Sequence, residues 1–125
     1  MYLKRKIDDY LSEWIKDSNK KPLIVRGARQ IGKTESVLQF AYKHYESVIE
    51  INFVKDQKYK KITVDGYDVA DIIKNISRID PGKKFIPQKT LIFFDEITEF
   101  PDIATALKFF KIDGRFDVIC SGSML

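Results

Sequence analysis

One eight-residue pattern constrains this chain more than any other feature: a glycine, four residues of any type, then glycine, lysine and threonine. The preceding run Leu23-Ile24-Val25-Arg26 is short, apolar and β-branched, which is typical of a strand. Apolar residues at helical spacing follow the pattern. The order therefore predicts a strand, a loop and a helix. The pattern itself consists of Gly27, Ala28, Arg29, Gln30, Ile31, Gly32, Lys33 and Thr34.

A loop of this kind is suited to binding phosphate groups. Its glycines let successive backbone N–H groups point inward, and the N-terminus of the next helix adds partial positive charge. We expect Lys33 to reach the β- and γ-phosphates of a nucleotide and the Thr34 hydroxyl to ligate Mg²⁺. The predicted nucleotide-binding residues also include residues 27–32 and Glu35. The side chains of Arg29 and Gln30 need no role of their own.

A pair of carboxylates ends the most apolar run of the chain. Thr90-Leu91-Ile92-Phe93-Phe94 predicts a strand buried on both faces, and Asp95 and Glu96 follow it directly. Ligands of parallel sheets bind at this end of the strands. We expect Asp95 to hold Mg²⁺ through its water shell and Glu96 to act as the catalytic base that polarises the attacking water. No N-K-x-D sequence is present, which disfavours a GTPase.

Two serines follow the last predicted strand, Phe116 to Cys120. Ser121 and Ser123 should emerge at the same sheet edge as the phosphate loop and the acidic pair. A hydroxyl there could contact the γ-phosphate or orient water, so both are candidate catalytic residues, although a simple strand-ending turn explains them as well. Cys120 is best interpreted as a small buried hydrophobe.

Strands and helices alternate along the whole chain, which predicts an α/β fold with a parallel sheet covered on both faces. An amphipathic helix and a polar connector occupy residues 1–21, and the nucleotide-binding domain occupies residues 22–125. Further helices are predicted around Val69 to Ile76 and from Pro101 to Gly114, with another strand at Val48 to Phe53. Asp68 or Asp65 could cap the Val69 helix.

The bulk properties indicate a soluble protein of the cytoplasm. The net charge is only +4, there is one cysteine, and neither a signal peptide nor a run of about 20 apolar residues is present, so no membrane partner is expected. Lys58, Lys60 and Lys61 with Tyr59 form a basic and aromatic cluster compatible with DNA binding. A solvated loop explains the cluster equally well, so DNA stays an unsupported option.

Five segments of the chain belong together: 26–34, Ile51-Asn52-Phe53, 90–97, Leu107-Lys108-Phe109-Phe110-Lys111 and Ser121-Gly122-Ser123. Together they resemble the AAA-like ATPases common in bacteria and archaea. The resemblance implies ATP and Mg²⁺ as ligands and a three-layer P-loop NTPase core with strand order 2-3-4-1. It implies Walker A roles for Lys33 and Thr34, Walker B roles for Asp95 and Glu96, and a sensor 1 role for Ser121 or Ser123.

The chain also departs from that family's pattern. Glu35 stands where a second Thr or Ser is usual, which should weaken nucleotide binding, and Thr98 stands where Gln is common. The resemblance implies a fifth strand, a lid, an arginine finger and a second sensor beyond Leu125, so we expect a truncated ATPase domain with impaired turnover. Its strand at residues 23–26 would be an open edge, available to another copy, an unknown protein or the missing C-terminal domain. The alternative is a nucleotide-dependent protein- or DNA-binding module without significant hydrolysis.

Overall fold

Helices and strands alternate through the part of the chain that the computed structural model describes, residues 6–26 and 33–122. Two short 3-10 helices, Gln57–Lys61 and Ile97–Glu99, interrupt the alternation. The strands are β1 (Leu23–Arg26), β2 (Ser47–Asn52), β3 (Thr90–Asp95) and β4 (Asp117–Gly122). The α-helices are α1 (Lys6–Lys16), α2 (Lys33–His44), α3 (Val69–Ile79) and α4 (Asp102–Asp113).

The four strands form one parallel sheet in the order β1-β4-β3-β2. This is the predicted order 2-3-4-1, and the predicted α/β class is confirmed. β3 lies between β2 and β4, and all six of its residues are buried. The register pairs Asn52 with Asp95, so the last residues of β2 and β3 meet at the carboxyl edge of the sheet.

Helices cover both faces of the sheet, and each face has its own core. α3 and α4 pack over one face, where the largest buried side chains include Phe53, Phe94 and Phe110. α1 and α2 pack over the other, where Leu11 and Phe93 are fully buried. Because Leu11 lies in this second core, α1 is packed against the same face of the sheet as α2. Helices in the described ranges are too short or too polar to span a bilayer.

The ends of two helices show how the sequence sets their limits. Gly114 ends α4 in the left-handed conformation, with φ of 73° and its N–H donated to the Phe110 carbonyl, as a C-terminal glycine does. Asp68 occupies the N-cap position of α3, but its side chain makes no capping hydrogen bond. Asp65 instead accepts a hydrogen bond from Asn75. The expected carboxylate cap is therefore absent from α3.

Candidate functional site

Three elements, α2, β2 and β3, and the turns after the two strands bring polar side chains to one cleft at the carboxyl edge of the sheet. α2 supplies its first two residues, β2 its last residue and the turn after it, and β3 its last residue and the one that follows. The cleft has a volume of about 230 Å³. Larger grooves lie beside α1, but they are lined by residues of α1, Asp17 and β1 and not by the residues that end β2 and β3. The described residues that line the cleft are Lys33, Thr34, Asn52, Val54, Lys55, Asp95 and Glu96.

Asp95 is the hub of the hydrogen bonds in this cleft. Its Oδ2 accepts from the Thr34 hydroxyl and from the Asn52 amide, each at 3.2 Å, and its Oδ1 accepts from the Ser121 hydroxyl. The side chain is only 3% exposed. A carboxylate so far from water needs donors, and three different elements supply them. The predicted proximity of Thr34 to Asp95 is therefore present in the structure.

Lys33 carries an unsatisfied charge at the start of α2. Its Nζ is buried and has no hydrogen-bond partner within residues 6–26 and 33–122. Burying an ammonium group without an acceptor is costly, so the position fits an anionic ligand that would supply acceptor oxygens. The orphaned nitrogen lies in the same cleft as Thr34 and Asp95. The described residues thus fit the phosphates of a nucleotide.

The donor set also fits Mg²⁺ that is shared with a phosphate ligand. Nowhere in the described ranges do three His, Cys, Asp or Glu side chains cluster to hold a metal ion by themselves. Mg²⁺ is usually held by one or two protein oxygens plus substrate phosphates and water, rather than by a complete protein cage. The Thr34 hydroxyl and the Asp95 carboxylate provide such a partial set.

Glu96 has an unusual backbone conformation for a residue with a side chain. Its φ of 62° and ψ of 54° place it in the left-handed region, which costs a non-glycine residue about 1 kcal/mol or more. The backbone N–H of Glu96 donates to the Ser121 hydroxyl at 3.1 Å. The residue is 7% exposed and lines the cleft, so the turn after β3 holds the carboxylate at the site despite the strain.

Ser121 lies deeper than the sequence suggested. It is fully buried in β4, and its hydroxyl donates to Asp95 and accepts from the Glu96 N–H. Both hydrogen-bonding capacities are used inside the protein, so Ser121 supports the two acids and does not line the cleft. Ser123 and the loop residues 27–32 lie outside the described residues.

Glu35 lies outside the part of the cleft that the described residues form. It is an exposed residue of α2 and accepts a hydrogen bond from Gln39, one turn further along, at 3.0 Å. It is absent from the described lining of the cleft. Any repulsion between the Glu35 carboxylate and bound phosphates would therefore act over a longer distance and through solvent, where charge effects are weaker.

Asn52 is a site residue that the sequence argument missed. Its amide reaches Asp95, while its Oδ1 accepts the backbone N–H groups of Val54 at 2.8 Å and Lys55 at 3.0 Å. The available signal was an amide residue at the end of a strand predicted to lie beside the Asp95 strand. A strand-end amide next to a strand-end carboxylate should have been added to the candidates.

The half-buried Glu50 shows the electrostatic effect of this arrangement. Burial raises the pKa of its carboxyl, the negative charge of Asp95 raises it further, and Lys55 and Lys83 lower it.

Burial in β4 raises the pKa of the Cys120 thiol far above its usual range. Cys120 is a buried apolar residue, as predicted.

The basic and aromatic cluster at residues 58–61 does not offer a surface for stacking bases. Tyr59 is 3% exposed and belongs to the core under α3, and desolvation raises the pKa of its hydroxyl. Base stacking on single-stranded nucleic acid requires an accessible ring face. The structure therefore removes the aromatic part of the DNA-binding hypothesis and leaves only lysines on a 3-10 helix.

Comparisons with known proteins agree with this geometry. A family model described as an AAA domain matches residues 19–125. Among solved structures, 17 chains are significantly similar, and one of them is PCH-2 of C. elegans, with a TM-score of 0.54 and 12% sequence identity. The alignment covers 95% of this chain and 36% of that chain, so the likeness concerns the fold of roughly a third of PCH-2. A search of curated proteins found no significantly similar sequence.

Proposed function

This chain belongs to the AAA domain family, and on that premise we propose that it binds ATP with Mg²⁺ in the cleft and hydrolyses the terminal phosphate bond. The observation that carries the proposal is the buried Nζ of Lys33, which has no partner in the described residues and lies beside the Thr34–Asp95 pair. A triphosphate would supply the missing acceptors. The glycine pattern that precedes Lys33 supports the same ligand.

The residues predicted from the sequence have the following roles in this proposal. Lys33 binds the β- and γ-phosphates, and Thr34 and Asp95 hold Mg²⁺, which would neutralise phosphate charge when bound. Glu96 accepts the proton of the attacking water. Ser121 is a positioning residue, because its hydroxyl links the Asp95 carboxylate to the Glu96 backbone. The loop at residues 27–32 supplies backbone N–H groups to the phosphates.

We expect turnover by this chain alone to be slow. Phosphoryl transfer depends on cations that stabilise the transition state, and an arginine in this role contributes about a thousandfold or more. No arginine is found among the described residues that line the cleft. ATP binding without significant hydrolysis is therefore the alternative within the same site.

A titration with a fluorescent ATP analogue tests the binding proposal. The wild-type chain should bind in the presence of Mg²⁺ and more weakly without it. Lys33→Ala should weaken binding by at least about tenfold, because a charge-assisted contact to phosphate is lost. Lys43→Ala, which removes an exposed lysine from the other end of the same helix, is the matched control and should bind like the wild type.

Hydrolysis is tested separately, by phosphate release from ATP. Glu96→Gln should abolish release while analogue binding is retained, since the substitution removes the proton acceptor and little volume. Equal, nonzero rates for Glu96→Gln and the wild type would refute the role of Glu96. Binding by the wild type with no release above background would leave the non-hydrolysing module as the better description.

The outer edge of β1 supports a further part of the proposal, self-association. Within the described residues β1 pairs only with β4, and the groove beside its other edge is lined by Ile7 and Tyr10, the latter 63% exposed. Open strand edges pair with other chains. The elution volume in gel filtration should therefore decrease as protein concentration rises. A monomer at every concentration would refute self-association without affecting the ATP proposal.

A further inference from the structure

Lys55 is a second cation in the cleft, and the sequence patterns assign it no role. It lies on the exposed turn after β2 and lines the cleft with Lys33, Asp95 and Glu96. Its side chain forms no ion pair with any residue in the described ranges 6–26 and 33–122. Its positive charge lowers the pKa of the Glu50 carboxyl. Lys55 is thus an exposed cation beside the acids that forms no ion pair within the described residues.

The turn that carries Lys55 is linked to Asp95 through Asn52. The Oδ1 of Asn52 accepts the N–H groups of Val54 and Lys55, while its amide donates to Asp95. One side chain therefore sets the position of the turn relative to the Asp95 carboxylate. A surface lysine on an unconstrained loop would lack this connection.

The sheet order places the two lysines on opposite flanks of the acids. The loop before Lys33 leaves β1, at one edge of the sheet, whereas Lys55 follows β2, at the other edge. β3, with Asp95 and Glu96 at its end, lies between them. A phosphate chain bound from the Lys33 side and extending toward Glu96 would bring its terminal group nearest to Lys55.

We propose that Lys55 binds the terminal phosphate of a nucleoside triphosphate and so distinguishes the triphosphate from the diphosphate. The inference rests on the proposed function of the cleft. Lysine suits this role because its ammonium is a point charge on a flexible stem and can follow a phosphate oxygen. Since the side chain is exposed, we expect a contribution of about three- to fivefold in affinity rather than the larger effect of a buried cation.

The test compares the affinities of the full chain for β,γ-imido-ATP and for ADP, both with Mg²⁺. Lys55→Ala should weaken imido-ATP binding by about three- to fivefold and change ADP binding by less than about 1.5-fold. Lys55→Arg should restore most of the triphosphate affinity, because it keeps the charge. Lys61→Ala removes an exposed lysine of the neighbouring 3-10 helix, outside the described lining of the cleft, and should leave both affinities unchanged.

The outcomes separate this inference from the function on which it rests. Equal weakening for both nucleotides, or none for either, would overturn the role of Lys55 while ATP binding stands. If Lys55→Arg weakened imido-ATP binding as much as Lys55→Ala, the role of Lys55 would also be overturned, because its charge would not be the cause. If neither the wild type nor Lys33→Ala bound imido-ATP, the proposed function and the role of Lys55 would both be overturned.

Discussion

The Ser121→Ala substitution would test whether the buried hydroxyl of β4 holds the two acids in place. The hydroxyl donates to Asp95 and accepts from the Glu96 N–H, at a position with no exposed surface. Alanine keeps the backbone and nearly the same volume but removes both hydrogen bonds. Water cannot easily replace the oxygen, because the side chain is fully enclosed.

The magnitude follows from the two groups that lose a partner. A buried backbone N–H left without an acceptor costs about 1–3 kcal/mol, and Asp95 loses one of three donors while Thr34 and Asn52 remain. We therefore expect the free energy of unfolding to fall by about 3 kcal/mol. At about 4 °C per kcal/mol for a chain of this size, the melting temperature should fall by ~12 °C.

Thermal unfolding followed by circular dichroism provides the assay, and Ser47→Ala provides the matched control. Ser47 also donates one hydrogen bond, to the Lys84 carbonyl at 2.6 Å, but at an exposed position. Water can replace that contact, so the control should lose less than about 1 kcal/mol. Equal melting temperatures for Ser121→Ala and Ser47→Ala would refute the reasoning that the buried hydroxyl carries both bonds.

Three further substitutions test other parts of the fold. Glu50→Gln should raise the melting temperature at pH 7, because the raised pKa of Glu50 means that its ionisation lowers the stability of the folded chain. The difference in melting temperature should shrink as pH falls and vanish below 4.5, the usual pKa of a glutamate. A difference that does not depend on pH would contradict this. Asn52→Asp should destabilise the chain at pH 7, because it places a second carboxylate next to that of Asp95 and removes the amide that donates to it. Urea unfolding measures the loss, and an unchanged midpoint would contradict this reasoning. Gly114→Ala should lower the free energy of unfolding in urea by about 1 kcal/mol, because a residue with a side chain is strained at a φ of 73°. An unchanged midpoint would mean that α4 can end in another conformation.

The strands were predictable because they depend on local hydrophobic pattern, whereas their order was implied by the resemblance to AAA-like ATPases. The unbroken apolar run of β3 correctly indicated a central strand buried on both faces. The pairing of Thr34 with Asp95 followed from two motifs that meet at one sheet edge. Both inferences need only residue type, spacing and the rule that parallel strands end on the same side.

The finer features of the site depend on tertiary contacts that no local pattern encodes. Asn52 acquires its role from the register that sets it against Asp95, across 43 positions of the chain. The left-handed conformation of Glu96 could not be anticipated either, since Gly and Asn are the usual residues there. Tyr59 was misjudged as a surface residue because a single 3-10 turn shows no periodicity from which to infer burial.

The position of β1 at the sheet edge has a consequence for the order in which the chain acquires structure. The elements from β2 to β4 follow one another along the chain and can assemble as neighbours. β1, in contrast, pairs with β4, so that Leu23 must meet Ile119. Closing so long a stretch of chain is entropically costly until β4 is already docked. β1, which precedes the proposed phosphate-binding loop, should thus be the last strand to join during refolding. In hydrogen exchange, the β1 amides should open at a lower free energy than those of the enclosed β3, and nucleotide should protect β1 most.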